Sequence, residues 1–161
     1  MNGLTMSLRP TNAYFRAGTA AILTLVLTSV HHAYGAMIYE TPWRLHILHV
    51  AVPTAVAIAL LLCIGFTRRG KPGGRLATWA AIAIIMAFPV AAIGVFEGGY
   101  NHVLKNLVYF GFGAESAKEL FPPPTYEMPN DIVFELTGIA QFPLCVLAAV
   151  FALRLLRMKA G

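Results

Sequence analysis

The chain has 161 residues, 58% hydrophobic and 12% charged, with a formal net charge of +5 and a mean hydropathy of +0.68. Soluble domains carry roughly 45–50% apolar and about 25% charged residues, so this composition excludes a water-soluble globule. Intrinsic disorder is excluded by the same figures, and two cysteines are too few for a small disulfide scaffold. What remains is an all-α integral membrane protein forming one domain over residues 1–161.

A spanning helix needs ~20 mostly apolar residues, and four stretches qualify. The first runs from about Ala17 to Tyr39 (17–39). Arg9, Arg16, the apolar run and Ala33-Tyr34-Gly35-Ala36 have the outline of a secretory signal with a small-residue cleavage site. The expectation is nevertheless a retained membrane helix. Glu40-Thr41-Pro42 leads into the second stretch, Trp43 to Phe66 (43–66), with Pro42 suited to a first helical turn. The polar breaker Arg68 to Arg75 separates it from the third, Leu76 to Glu97 (76–97).

A longer connection follows, 98–131. Gly98-Gly99 is expected to end or bend the third helix, and Tyr100 to Phe112 to lie along the interface as a short separate helix stopped by Gly111 and Gly113. Phe121-Pro122-Pro123-Pro124 reads as stiff and extended. Pro129-Asn130-Asp131 reads as the start and cap of the fourth helix, Ile132 to Leu153 (132–153). Short turns and four spans imply an antiparallel four-helix bundle of up-down topology.

The charge separates by side. Arg9, Arg16, Arg68, Arg69, Lys71, Arg75, Arg154, Arg157 and Lys159 place nine bases and no acid at one end. Arg44, Lys105 and Lys118 accompany all seven acids at the other, a net of −4. Bases concentrate in cytoplasmic loops, so both termini are expected inside, most simply in a bacterial inner membrane with the acidic half facing the periplasm. The +5 is then an orientation signal and a contact for the lipid bilayer; nucleic acid is not needed to explain it.

All five histidines fall in the acidic half. At ~1.5 Å of rise per residue, His31 lies about 12 Å below the end of its helix, His46 and His49 about 5 and 9 Å below Trp43, and Glu135 about 6 Å below Asp131. His46 and His49 are i, i+3 and share a face, whereas of the adjacent His31 and His32 only one can face the bundle centre. Ionisable groups at such depth are costly unless paired or coordinated, and by default mark function. Imidazole with carboxylate is the ligand chemistry of Cu, Fe and Zn. The expected metal ligands are His31, His46, His49, Glu97, His102 and Glu135, supported by His32, Tyr100 and Asp131. The set lacks the Glu-x-x-His pairs of di-metal bundles, since Glu97 and His102 are five apart.

Three functional classes fit these residues. One is a membrane metalloprotein, either a redox or hydrolytic enzyme acting on a hydrophobic small molecule or a metal-binding protein. Another is an electron-transfer protein with haem b held by His31 and His49 and quinone as its partner. The last is a non-catalytic accessory subunit, or a lipid- or solute-binding bundle, in a homo-oligomer or larger membrane complex. In that case ion pairs such as His46 with Glu97 or Glu135 lock the bundle without metal. Arg44 is expected to snorkel or to pair with Glu40, and Gln141 to act as interhelical hydrogen-bond glue. Pro53, Pro89 and Pro143 are expected to kink their helices. Neither Cys63 nor Cys145 is placed for disulfide exchange.

Overall fold

A computed structural model describes residues 10–157; Arg9 and Lys159, two of the nine bases, lie outside the described residues. Within them the regular secondary structure is all helical, with no strand. The elements are α1 (Pro10–Ile38), a 3-10 turn (Pro42–Leu45), α2 (His46–Thr67), α3 (Pro72–Ile85), a π-helical segment (Met86–Leu104), α4 (Lys105–Phe112), α5 (Ala114–Leu120) and α6 (Ile132–Leu156). Four stretches, Thr11–Ile38, Pro42–Thr67, Pro72–Phe112 and Ile132–Leu156, are long and apolar enough to cross a membrane.

At one end the start of α1 meets the start of α3 through Tyr14 and Thr78, whose hydroxyls are 2.9 Å apart, and the Tyr14 ring meets Phe66 at the end of α2. At the other end His31 of α1, Glu97 and His102 of the π segment and Glu135 of α6 converge. Between these ends the core is built largely from small side chains, among them Ala17, Ala21, Ala51, Ala81, Ala148 and Ala152, while Leu23, Val26, Val56, Leu60 and Leu147 point outward. In lipid there is no hydrophobic drive to bury large side chains, and small residues let backbones approach closely. An apolar exterior around an alanine-rich interior is the expected result.

The third span differs from its expected form. The helix that was to end at Gly98-Gly99 runs through the pair without a break, from Pro72 to Phe112, 41 residues. Packing against α6 is the reason. A Cβ at Gly98 would come within 2.8 Å of the Phe142 nitrogen and 3.1 Å of the Gln141 Cβ, and one at Gly94 would collide with Cys145. These glycines are contact surfaces for a neighbouring helix and not breakers. The expected interfacial helix Tyr100–Phe112 is accordingly the continuation of this span, about twice the length that a crossing needs. Gly113, at φ 94°, is the true stop, and Gly111 lies inside α4.

The winding of this span is also unusual. From Met86 to Leu104 it is π-helical, and at its far end the Lys105 N–H reaches back five residues to the Tyr100 carbonyl. Pro89 lies inside the segment; it has no N–H to donate and its ring crowds the carbonyl four residues back, which a wider turn relieves. Pro53 and Pro143 lie inside α2 and α6.

Elsewhere the expected signals hold with shifted boundaries. Pro42 opens the 3-10 turn, and the Asp131 carboxylate accepts the Phe134 N–H at 2.8 Å to cap α6. The 98–131 connection contains one helix that composition did not announce, α5, and residues 121–130 form turns in place of an extended rod.

Candidate metal centre

Three helices supply the centre: α1, the π segment and α6. In an α-helix residues five apart diverge by about 140°, which is why Glu97 and His102 look mismatched on paper. A π-helix closes its hydrogen bonds at i→i+5, which stacks position 102 over position 97. Both side chains then face α1. Gly138 of α6 admits the His102 ring, since a Cβ there would overlap three of its atoms. Gly35 of α1 likewise leaves room for Phe134, which stacks on His31 at 4.2 Å between ring centroids.

The polar atoms form a compact triangle. His31 Nε2 and His102 Nε2 are 3.1 Å apart, and Glu97 Oε1 is 3.6 Å from each. The point equidistant from all three lies about 2.0 Å from each, the length of a Zn–N or Zn–O bond. His31 and His102 are 1% and 2% exposed. This His-Glu-His cluster can hold a metal ion.

The outer faces of both imidazoles are already committed. The Thr137 hydroxyl donates to the Val133 and Phe134 carbonyls at 2.7 and 3.0 Å, so its oxygen accepts from His31 Nδ1–H at 3.0 Å. His102 Nδ1–H donates to Glu135 Oε2 at 2.8 Å. Each ring is thereby set in the tautomer whose Nε2 carries a lone pair. Two lone pairs 3.1 Å apart beside a carboxylate repel one another unless a proton or a cation lies among them.

A second tier holds these groups in place. Glu135 Oε1 accepts from Lys105 Nζ at 2.9 Å, and its Oε2 also accepts from Asn106 Nδ2. Lys105 is 2% exposed and reaches the Glu127 carbonyl at 2.6 Å. Asn101 Nδ2 donates to Glu97 Oε2 at 2.9 Å, while Asn101 Oδ1 is buried with no partner among the described residues. A cavity of about 350 Å³ adjoins the cluster. Glu97, His102, Lys105, Arg44 and Glu127 form its polar wall, and Ile47, Phe88, Ala92, Ile93 and Phe96 its apolar one. Tyr126, also in the lining, has its phenol pushed up from the ordinary value by burial, with the Tyr100 and Glu97 charges adding to it.

The remaining residues expected at the site are placed as follows. Glu135 is the carboxylate behind His102 and not a member of the triangle. His32 is half-buried, with Nδ1 on the Thr28 carbonyl at 3.0 Å. His46 is exposed, stacked on Trp43, with Nδ1 on the Trp43 carbonyl at 2.6 Å. His49 is exposed. The structure does not bring His46 or His49 to the triangle, because α2 packs against α1 and α3 and stands outside the three helices that build it. Tyr100 lies against Phe96, Phe121 and Tyr126. Asp131 caps α6 and accepts from the Tyr34 hydroxyl at 3.1 Å.

Two expectations are corrected. Arg44 is buried and pairs with Glu127 at 3.2 Å, not with Glu40, and its guanidinium lies over Trp43, 5.0 Å from the ring centroid. Gln141 is fully buried, yet neither amide atom has a partner among the described residues, so it is not hydrogen-bond glue there. Sequence reading missed Lys105, Asn106 and Thr137. The signal for the first two was the i, i+3, i+4 spacing of His102, Lys105 and Asn106, which has meaning only if the helix continues past Gly99.

Comparison with protein-family models, with curated proteins and with solved structures found no match. Fold and site together define a multi-pass helical membrane protein with a His-Glu-His cluster whose two histidines are buried.

Proposed function

We propose that the chain is a membrane-embedded metalloenzyme that binds one transition-metal ion on His31, Glu97 and His102 and acts on a small amphiphile dissolved in the bilayer. The observation that carries this reading is the triangle itself: three donors equidistant from a point about 2.0 Å away, with both imidazoles held in the ligating tautomer. Three protein ligands leave a coordination position open, as in catalytic sites, whereas structural sites are closed by four. The adjoining cavity supplies space for a substrate, and its two walls suit a polar group on an apolar body. Arg44 and Lys105 are each paired with an acid, so the polar wall carries no uncompensated cation to attract an anionic head. An uncharged ester, amide, aldehyde or alcohol is the matching chemistry.

Two imidazoles with one carboxylate are used both by hydrolytic zinc sites and by non-haem Fe(II) oxygenases. The carboxylate donor and a ligand cluster that contains no cysteine disfavour Cu(I), which selects thiolate and thioether ligands. A bis-histidine haem is disfavoured by geometry. Its axial nitrogens must face each other across the iron with a flat macrocycle between them, and His49 is exposed on α2. The base-rich end is taken as cytoplasmic, which opens the cavity toward the periplasm of a bacterial inner membrane.

Zinc or Fe(II) competition titrations on detergent-solubilised protein test the reading. Wild type is expected to bind one equivalent tightly and His31→Ala none, with no Soret band in the visible spectrum. A wild type that binds no more metal than His31→Ala, or that carries stoichiometric haem, overturns it.

A further inference from the structure

Two ligands as deeply buried as His31 and His102 pose a problem of access, because a divalent cation loses its hydration shell before it can reach them. Two further histidines line the adjoining cavity, His32 and His46. Their Nδ1 atoms are engaged by backbone carbonyls, those of Thr28 at 3.0 Å and Trp43 at 2.6 Å. A ring that donates Nδ1–H to a carbonyl keeps its Nε2 lone pair available, the arrangement that prepares histidines to ligate metals. The three histidines of the cavity wall, His32, His46 and His102, and His31 behind it are therefore all set in the same tautomer. They also form a gradient of exposure: His46 is exposed, His32 half-buried, and His31 and His102 buried.

We infer that His46 and His32 form a loading path, passing a hydrated divalent cation by ligand exchange from the cavity rim to the triangle. At each step one imidazole Nε2 displaces a water or the preceding imidazole from the ion, and no electron or proton transfer is needed. The acidic half of the molecule, net −4, raises the local cation concentration at the rim. Arg44 and Lys105 do not oppose passage, since Glu127 and Glu135 neutralise them. The inference rests on the metal-binding reading of the triangle and adds a kinetic role to residues that the triangle does not use.

Stopped-flow mixing of apoprotein with Co(II), followed through the visible bands of the bound ion, measures loading; an excess of chelator measures release. The double variant His32→Gln/His46→Gln is expected to load at least ten-fold more slowly. Release slows by the same factor, because a path serves both directions, and the equilibrium affinity and the stoichiometry of one stay unchanged. His49→Gln, exposed on the same helix but absent from the cavity wall, loads at the wild-type rate. If the double variant loses the tight site, His46→Gln alone replaces it, with at least a three-fold slowing expected. Wild-type loading rates in a variant that still binds one equivalent overturn the path. An altered equilibrium affinity with an unchanged loading rate, the change lying in release alone, also overturns it, by making the two rings ligands. Failure of wild type to bind Co(II) at all refutes instead the metal reading beneath.

Discussion

Gly138→Ala places one methyl group where the His102 ring now sits. The added Cβ would overlap three ring atoms, and ordinary van der Waals contact begins at about 3.4 Å, so the ring must retreat by about 1 Å. Metal–ligand distances tolerate deviations of only about 0.2 Å, and His102 is further tied by Nδ1 to Glu135 at 2.8 Å, so ring and carboxylate cannot both hold their places. The expected cost is a loss of metal affinity of at least 10–100-fold, the range seen when the support of a ligand is removed, together with about 1–3 kcal/mol of stability from overpacking. Competition titration with a chromophoric zinc chelator measures the first, and thermal unfolding in detergent the second. Gly111→Ala is the matched control. No atom lies within 4 Å of the added Cβ, and replacing a glycine inside α4 should leave metal binding unchanged while stabilising by roughly 0.5–1 kcal/mol. Wild-type metal affinity in Gly138→Ala would refute the claim that this contact fixes the ligand.

Four other outcomes follow from the same geometry. Lys105→Met leaves Glu135 as a buried charge without its ammonium partner and should destabilise the protein by about 3–5 kcal/mol in thermal unfolding. Glu135→Gln removes the carboxylate that holds His102, so zinc affinity should fall about 10–100-fold while one equivalent still binds at saturation. Gln141→Met replaces an amide without partners among the described residues by an apolar chain of similar length; an unsatisfied buried amide costs about 1–3 kcal/mol, so the melting temperature should rise. In a Cys63→Ser/Cys145→Ser background, a membrane-impermeant maleimide added to spheroplasts should label Glu119→Cys and spare Arg69→Cys, whereas the reverse pattern would invert the proposed orientation.

Much of the architecture was legible because it depends on run length and charge alone. The four spans, the Asp131 cap and the gathering of histidines and acids at one end all follow from such patterns. So did the separation of His31 from His32, since adjacent residues on a helix cannot share a face. The site was less legible where tertiary packing overrides local preference. Gly98-Gly99 reads as a breaker in isolation but serves here as a flat surface for Phe142 and Gln141. Once the helix continues, Lys105 ceases to be a loop charge and becomes a buried partner of Glu135. The π winding that stacks His102 over Glu97 has no periodic signature in the apolar pattern. The spacing of His46 and His49 on one helix does not reveal where that helix sits, and α2 lies outside the three that form the centre.

The most direct measurement is elemental analysis of wild type and the His31→Ala/His102→Ala variant, purified together without chelators, with helicity checked on the same samples. The account predicts about one equivalent of zinc or iron per folded wild-type chain and near none in the variant. Near-zero metal in a fully helical wild type that also fails to take up added zinc or Fe(II) would contradict it, leaving a shared proton as what joins His31 to His102.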